Sequence, residues 1–490
     1  MELEIKYLMP IFAISFFAVF SIVFDALFNN KKFSFWFAIT GLLSVIGLSV
    51  YTLFLPKDVL IDLSPMQLLT KNMVSFGGFA SFMDILFAFG GLIALLASRQ
   101  YISREYKELN EYYSLFLIAI SGMMLIAHSN HLLILFIGIE IMSITFYVLA
   151  GYFRTSIKSI EAALKYFLLG SFATGFLVYG IAMVYGSTGS MDLTIVHKNL
   201  VAGQFNGTYL LFGIGLLIIG LSFKVAAFPF HQWAPDVYNG APTIVTGFMS
   251  SAGKAAALTA FIIVANTLIF SNASNELLMK YSTMFQSIMA AIAACTMIIG
   301  NITALVQTNV KRMLAYSSVA HAGYLLMGIV ANSSLGWTGI IFYSLAYILM
   351  QSGAFVILSI FEKNEQSNLE IKNFAGLSKT HPVLAAMMSI FMLSLAGIPP
   401  FAGFFGKYYL FVAAVNSGFT WLTIIAVIAS IVSMYYYIGL ILSMYFKEND
   451  ADEMTGTTGL AAISIFIAIG GLLLFGLFPS LITEITKAFF

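Results

Sequence analysis

Apolar residues fall along this chain in long unbroken runs, not in the period-2 alternation of strands or the one-sided stripes of soluble helices. A run of about 20 such residues crosses the hydrocarbon core of a bilayer as a helix. Fourteen stretches meet that length: 8–28, 33–55, 77–98, 113–128, 131–152, 161–186 and 208–228, the seventh continuing through a broken stretch to about 250, then 253–271, 283–306, 312–332, 336–361, 383–415, 418–446 and 457–480. The first residues, MELEIKYLMPIF, carry mixed charges, and no small-residue cleavage site follows. The first run therefore reads as a retained span and not a signal peptide. The loop 56–76, containing LPKDVLIDLSPMQLLTKN, reads as a small hairpin.

Composition narrows the class. Of 490 residues, 60% are hydrophobic and 9% charged, where soluble domains carry about 25% charged residues. The expected fold is all-α and polytopic, with about 14 transmembrane helices. One cysteine, Cys295, excludes an internal disulfide, and without a C-x-x-C pair there is no framework for an iron–sulfur or zinc site. No G-x-G-x-x-G follows a strand, there is no P-loop, and no stretch is long enough for a soluble catalytic domain. Lysine and arginine set the orientation. Loops after odd-numbered spans, with their flanking helix ends, hold 13 of the 23, the opposite side holds 6, and 4 lie inside spans. Both termini are expected outside the cytoplasm.

Those four are Lys165, Lys224, Lys254 and Lys407. A lysine at the bilayer centre costs about 2.5–3.5 kcal/mol on insertion scales, unless it lies near a helix end and snorkels to the headgroups. Lys165 stands about one turn into its span and Lys254 opens one, so snorkelling is a real alternative for both. Lys224 and Lys407 lie beside helix breaks, where that alternative is weaker. Glu140 is the lone acid at a span's centre, in NHLLILFIGIEIMSITFYVLAG. A buried carboxylate needs a cation or takes up a proton, and a buried lysine has the mirror problem. Pairing the two makes each one's proton affinity depend on the other's state. A proton-transfer switch needs that coupling; a purely structural ion pair is the alternative. Asp25 and Asp84, near the ends of their spans, are expected to face headgroups or neighbouring subunits.

The stretch SFKVAAFPFHQWAPDVYNGAP interrupts the seventh span with Pro229, Pro235 and Pro242, none of which can continue a helical hydrogen-bond ladder. Irregular backbone at membrane depth persists only where protein buries it or water reaches it, and discontinuous helices mark ion sites in transporters. A re-entrant structural loop is the alternative. Carbonyls freed at the end of the first half-helix would stabilise the Lys224 cation, and His231 adds a group titrating near neutral pH. The twelfth span, SLAGIPPFAGFFGKYYLF, repeats the device with Pro399 and Pro400, and Lys407 follows two turns later. Between them, KRMLAYSSVAHAGYLLMG places Tyr316, Ser317, Ser318 and His321 in the tenth span. From Glu140 to Lys224 is 84 residues and from His321 to Lys407 is 86, which suggests duplication. Spans four to eight (113–271) and nine to thirteen (283–446) would then be two five-helix units, each with one discontinuous helix. An odd number of crossings per unit inverts the second copy. Residues 1–112 hold the first three spans and 457–490 the last.

Six stretches, spread over roughly 80–445, resemble the antiporter-like subunits of respiratory complex I, the NADH:quinone oxidoreductase. They are EYYSLFLIAISGMMLIAHSNHLL, GIEIMSITFYVLAGYFR, EAALKYFLLGSFATGFLVYG, FKVAAFPFHQWAPDVYNGAPT, KRMLAYSSVAHAGY and SLAGIPPFAGFFGKYYLF. Several long motifs in fixed order make the resemblance specific. Within the family, the size and the lack of a further C-terminal segment set the chain apart from members with a long lateral helix. Lys407 sets it apart from members with glutamate there. The resemblance implies a proton relay of Glu140, Lys165, Lys224, Lys254, His321 and Lys407. It also implies a bacterial plasma (inner) membrane location and partnership with other membrane subunits of the complex. No redox centre is implied in this chain: NADH, the flavin FMN, iron–sulfur clusters and quinone belong to partner subunits, whose reaction drives proton movement here.

Four rivals stand beside this reading. A subunit of a multi-subunit Na+/H+ antiporter shares the fold and the broken-helix lysines, but a Na+ site favours carboxylates and carbonyls. A stand-alone proton-coupled transporter with an anionic substrate fits less well, because the spans lack arginine. A haem enzyme lacks spaced histidine pairs. A mere membrane spacer gives no reason for Glu140 and four buried lysines.

Overall fold

The computed structural model describes residues 2–28, 31–55, 73–105, 111–269, 275–362, 369–448 and 459–489. The hairpin expected at 56–76 lies almost wholly outside them, as do several of the loop lysines that set the orientation. The described residues form helices joined by short loops: α1 (Glu2–Phe28), α2 (Lys31–Leu53), α3 (Gly78–Glu105), α4 (Glu111–Ala127), α5 (Leu132–Ala150), α6 (Ile157–Thr188), α7 (Leu193–Val201), α8 (Gly207–Val225), α9 (Trp233–Gly240), α10 (Thr243–Ile269), α11 (Glu276–Leu305), α12 (Val310–Ala331), α13 (Ser334–Phe361), α14 (Pro382–Ala396), α15 (Ala402–Asn416), α16 (Thr420–Phe446), α17 (Gly459–Leu477) and α18 (Ser480–Lys487). Twelve of the described helices are long and apolar enough to cross a membrane, and Glu111–Ala127 and Pro382–Ala396 are shorter apolar helices. With α8–α9 and α14–α15 each taken as one broken crossing and α4 as a short one, the described residues give fourteen candidate crossings, the number of apolar runs.

Lipid gives helices no hydrophobic reason to associate, so close packing must supply the contact. Glycines let the backbones meet: a Cβ on Gly138 of α5 would stand 2.9 Å from the Gly122 carbonyl of α4. Packing places α12 and α13 innermost, every residue of α13's most apolar window being buried. By contrast, α6 keeps Leu164, Phe167, Leu168 and Phe172 exposed along one side. Polar groups on α10, α12 and α13 are therefore sealed from lipid by the rest of the bundle.

Both breaks end in a left-handed residue. Ala226 (φ 59°) closes α8, with the N–H groups of Ala226 and Ala227 returning to the Phe223 and Ser222 carbonyls. Gly397 (φ 85°) closes α14, a conformation that glycine adopts without steric cost. The seventh crossing ends at Gly240, and not near residue 250. Pro242 is the N-cap of α10, because a proline at a helix start gives up no needed donor. Lys254 thus does not open its span. It sits in the middle of a 27-residue helix, out of snorkelling reach, just after a π-helical turn at Met249–Gly253.

Candidate functional site

Glu140 lies at the centre of α5, and Ser143 shares its face one turn on. Glu140 Oε1 accepts the Thr174 hydroxyl of α6 at 2.8 Å and stands 3.6 Å from Lys224 Nζ. That ammonium donates to Ser143 Oγ at 2.8 Å. Lys224 is sealed, with 2% of its side chain exposed against 20% for Glu140. The carbonyls freed by the break do not hold Lys224, contrary to the sequence expectation. The Phe223 carbonyl is taken by Trp233 Nε1 at 3.0 Å and by the turn itself.

Lys254, buried on α10, donates to the carbonyl and the Oγ of Ser318 on α12, the latter at 2.5 Å. Its Nζ lies 5.9 Å from the centre of the Tyr347 ring. One turn past Ser318, His321 is held at both nitrogens: Nδ1 by Tyr343 OH at 2.5 Å and Nε2 by Tyr437 OH at 2.9 Å. Tyr437 OH also meets Ser317 Oγ at 2.5 Å. Lys407, on α15, reaches back across its break. Its Nζ donates to the Leu395 and Ala396 carbonyls at 3.0 and 3.1 Å and to Ser430 Oγ at 2.9 Å, and lies 4.9 Å from the Tyr324 ring centre. Leu395 and Ala396 end α14, so the cation occupies the negative end of a half-helix dipole. Phe146, buried on α5, packs against the helix that carries Lys254. It lies one turn past Ser143 and is edge-on to Phe248 at 5.7 Å, and a Cβ on Gly253 would come within 2.6 Å of its ring.

Other expectations are corrected. Lys165 does not join the buried set: 41% of its side chain is exposed, and it pairs with Glu161 at 2.7 Å and Asp236 at 3.0 Å. Arg312 meets the same Asp236 at 3.4 Å. Asp25 and Asp84 face neither headgroups nor a partner. Asp25 is buried and accepts Ser34 Oγ, and Asp84 is fully buried, 2.8 Å from His128 Nε2. His231 is found against Phe228, ring centres 5.9 Å apart. Lys224 lies five residues before Pro229 and Lys407 seven after Pro400, on opposite sides of their breaks. The matching 84- and 86-residue spacings therefore pair positions that are not equivalent.

Sequence reasoning missed the hydroxyl partners Ser143, Thr174, Tyr343, Ser430 and Tyr437, and the ring of Tyr347. Serine, threonine and tyrosine are ordinary in membrane helices, so nothing singled these out beyond a Tyr-Tyr-Tyr run at 435–437. It also missed a buried Lys311–Glu362 pair, Lys311 having been counted with the loop charges. Among the described residues, no group of three or more His, Cys, Asp or Glu converges as metal ligands.

Two broken helices around a sealed line of lysines define a polytopic bundle of the ion-translocating class. The profile of the family described as NADH:quinone oxidoreductase/Mrp antiporter, TM, matches residues 129–433, a stretch holding every residue from Glu140 to Lys407. A protein of Chloroherpeton thalassium named NADH-quinone oxidoreductase subunit N 1 is 42% identical, over 98% of this chain and 97% of its own. A chain of respiratory complex I from Thermus thermophilus with bound Aureothin superposes with a TM-score of 0.77 at 31% identity, over 97% of this chain and 98% of that one. A chain of the Mrp complex from Dietzia matches with TM-score 0.81 at 19% identity, over 99% and 96%, and shares the fold. The chain belongs to the NADH:quinone oxidoreductase/Mrp antiporter membrane family, and within it to the subunit N type.

Proposed function

We propose that this chain moves protons through the membrane arm of an NADH:quinone oxidoreductase, driven by redox chemistry in partner subunits that hold NADH, flavin, iron–sulfur clusters and quinone. The observation that carries the proposal is the sealed series Glu140–Lys224, Lys254, His321, Lys407, in which each group rests on hydroxyls or carbonyls. In this reading Glu140 and Lys224 exchange a proton as a coupled pair. Lys254 takes up the next charge at mid-membrane. His321, bonded at both ring nitrogens, passes a proton between Tyr343 and Tyr437, one nitrogen accepting as the other releases. Lys407 closes the series. Lys165, half-exposed at the rim with Glu161 and Asp236, stands outside the series. The two five-helix units, 113–271 and 283–446, would each supply one broken helix, Pro229 and Pro235 interrupting the first and Pro399 and Pro400 the second. The bias of loop lysines and arginines supports a bacterial inner membrane location with both termini outside the cytoplasm.

Similarity to the Mrp chain, at 19% identity, supports only the shared fold. Lysines where a Na+ site needs oxygen ligands favour proton transfer over Na+ exchange. Affinity purification of the tagged chain from its own membranes is the test. The expected result is a large assembly that oxidises NADH with quinone and acidifies one side of reconstituted vesicles. A cation-exchanging assembly without flavin would overturn the proposal.

A further inference from the structure

Lys311 and Glu362 form a second buried charge cluster, which the relay does not use. Lys311, near the start of α12, has a side chain with 0% exposure, and that of Glu362, the C-cap of α13, shows 4%. Lys311 Nζ stands 3.8 Å from Glu362 Oε1 and donates to the Ala241 carbonyl, in the turn between α9 and α10, at 2.7 Å. The Tyr101 hydroxyl of α3 interacts with the same carboxylate and accepts the N–H of Thr243 at 3.0 Å. Lys158 adds a further positive charge nearby. Four crossings converge on a pair whose burial brings little net stability, near the ends of their helices.

A line of buried hydroxyls leads inward from this cluster. Thr243, Thr246, Ser250 and Ser251 are all buried along α10, and Lys254 follows on the same helix, about 16 Å from Thr243 at 1.5 Å per residue. From α13, Ser352 Oγ meets Ser251 Oγ at 3.0 Å and Gln351 Nε2 points to Ser250 Oγ at 3.4 Å. Gln351 Oε1 is buried without a hydrogen-bond partner among the described residues. Such atoms are rare and call for a ligand, and a water between hydroxyls would satisfy this one. The π-helical turn of α10 falls at the same level, at Met249–Gly253, and such turns are frequent at functional sites.

We propose that the Lys311–Glu362 pair gates a second proton intake, which runs along α10 to Lys254 without passing through Glu140 and Lys224. The inference rests on the proton-transfer reading above. Glu362 takes a proton from a hydronium ion at its end of the bundle: its O–H bond forms as a hydronium O–H bond breaks, leaving water, and the ion pair loses its attraction. Glu362 then releases that proton to the first hydroxyl or water inward and is again a carboxylate. Each group along the line accepts one proton and releases its own until neutral Lys254 Nζ receives the last. The test uses the whole complex in membrane vesicles, in a Cys295→Ser background carrying Ser250→Cys as probe. A membrane-impermeant thiol reagent is added on the face holding Lys311 and Glu362. Glu362→Gln and Lys311→Met are each expected to speed labelling at least about fivefold and to halve proton uptake per NADH. Exchanging the pair, Lys311→Glu with Glu362→Lys, is expected to restore both. Unchanged labelling overturns the proposal, as does faster labelling with normal proton uptake. If the single variants do not assemble, Gln351→Leu decides: it is expected to halve proton uptake per NADH, and normal uptake overturns the proposal. Failure of the relay reading is a separate result, seen as normal pumping by Glu140→Gln and Lys224→Met whatever the labelling shows.

Discussion

Glu140 and Lys224 offer the most direct measurement, because one distance sets the size of the effect. At 3.6 Å the attraction between unit charges is about 4–5 kcal/mol for an effective dielectric near 20. Desolvation of both groups offsets much of this, leaving a coupling of about 1–3 kcal/mol, the range for residues in contact. That corresponds to roughly 5- to 150-fold in rate. Glu140→Gln keeps the shape and an oxygen for the Thr174 hydroxyl. Lys224→Met keeps the stem, and Ser143 Oγ retains its bond to the Ile139 carbonyl at 2.7 Å. Neither change strands a polar group other than the deleted partner. Each single variant is expected to lower NADH-driven proton uptake within that range, and the double variant to fall no further than the worse single. The assay is proton uptake by reconstituted vesicles, normalised to quinone reductase activity, with assembly checked on a native gel. If the two losses multiply to within about twofold, the residues act independently and the coupled-pair reasoning fails.

The other predictions are narrower. Lys407→Arg keeps a cation but cannot release its proton, and a planar fork does not fit the Leu395, Ala396 and Ser430 oxygens; turnover is expected to fall as low as in Lys407→Met, and full activity would remove Lys407 from the relay. Asp84→Asn weakens a buried contact between α3 and His128, so the temperature at which the subunit is lost from the complex on native gels should drop, by a stability loss of about 1–3 kcal/mol; proton uptake per NADH should not change, and a change would give the pair a part in transport. Lys165→Ala removes half-exposed ion pairs worth about 0.2–1 kcal/mol and should change pumping less than twofold, whereas a loss as large as that of Lys224→Met would make the rim cluster part of the central line.

What the sequence revealed follows from what a bilayer punishes. Apolar runs report crossings because each must hide its backbone, so all fourteen were legible. Lys224, Lys254 and Lys407 stood out because a buried lysine is costly wherever it points. The carbonyls freed at Pro229 and Pro400 could not be assigned in the same way. Both breaks release carbonyls, but a tryptophan indole takes the one at Phe223 and a lysine takes those at Leu395 and Ala396. That choice depends on how the half-helices lie in space. Depth was equally hidden for Lys254, since only the position of Pro242 as a cap puts it mid-helix. Asp84 looked like a headgroup contact because its partner, His128, is 44 residues away and beyond the next crossing. Hydroxyl partners cost nearly nothing when misplaced, so they leave no mark in the sequence.

The two breaks therefore perform different electrostatic tasks. Lys224 precedes its break and draws its attraction from a carboxylate, Glu140, whose charge disappears when it takes a proton. Lys407 follows its break and draws its attraction from two peptide carbonyls and a ring face, dipoles that no proton can cancel. One end of the series can be switched by a single protonation. The other can be switched only by moving α14 against α15 or by bringing another charge near. His321 and Lys254 stand on the side from which such a charge would come, and the hydroxyls of Ser317, Ser318 and Tyr437 link their surroundings. In the proposed relay, the acid–base switch would be the carboxylate of Glu140, and Lys407 would be the lysine whose partners keep their charge. Neutralising Glu140 should therefore alter the charge balance along the whole line, while shifting α14 should act on Lys407 alone.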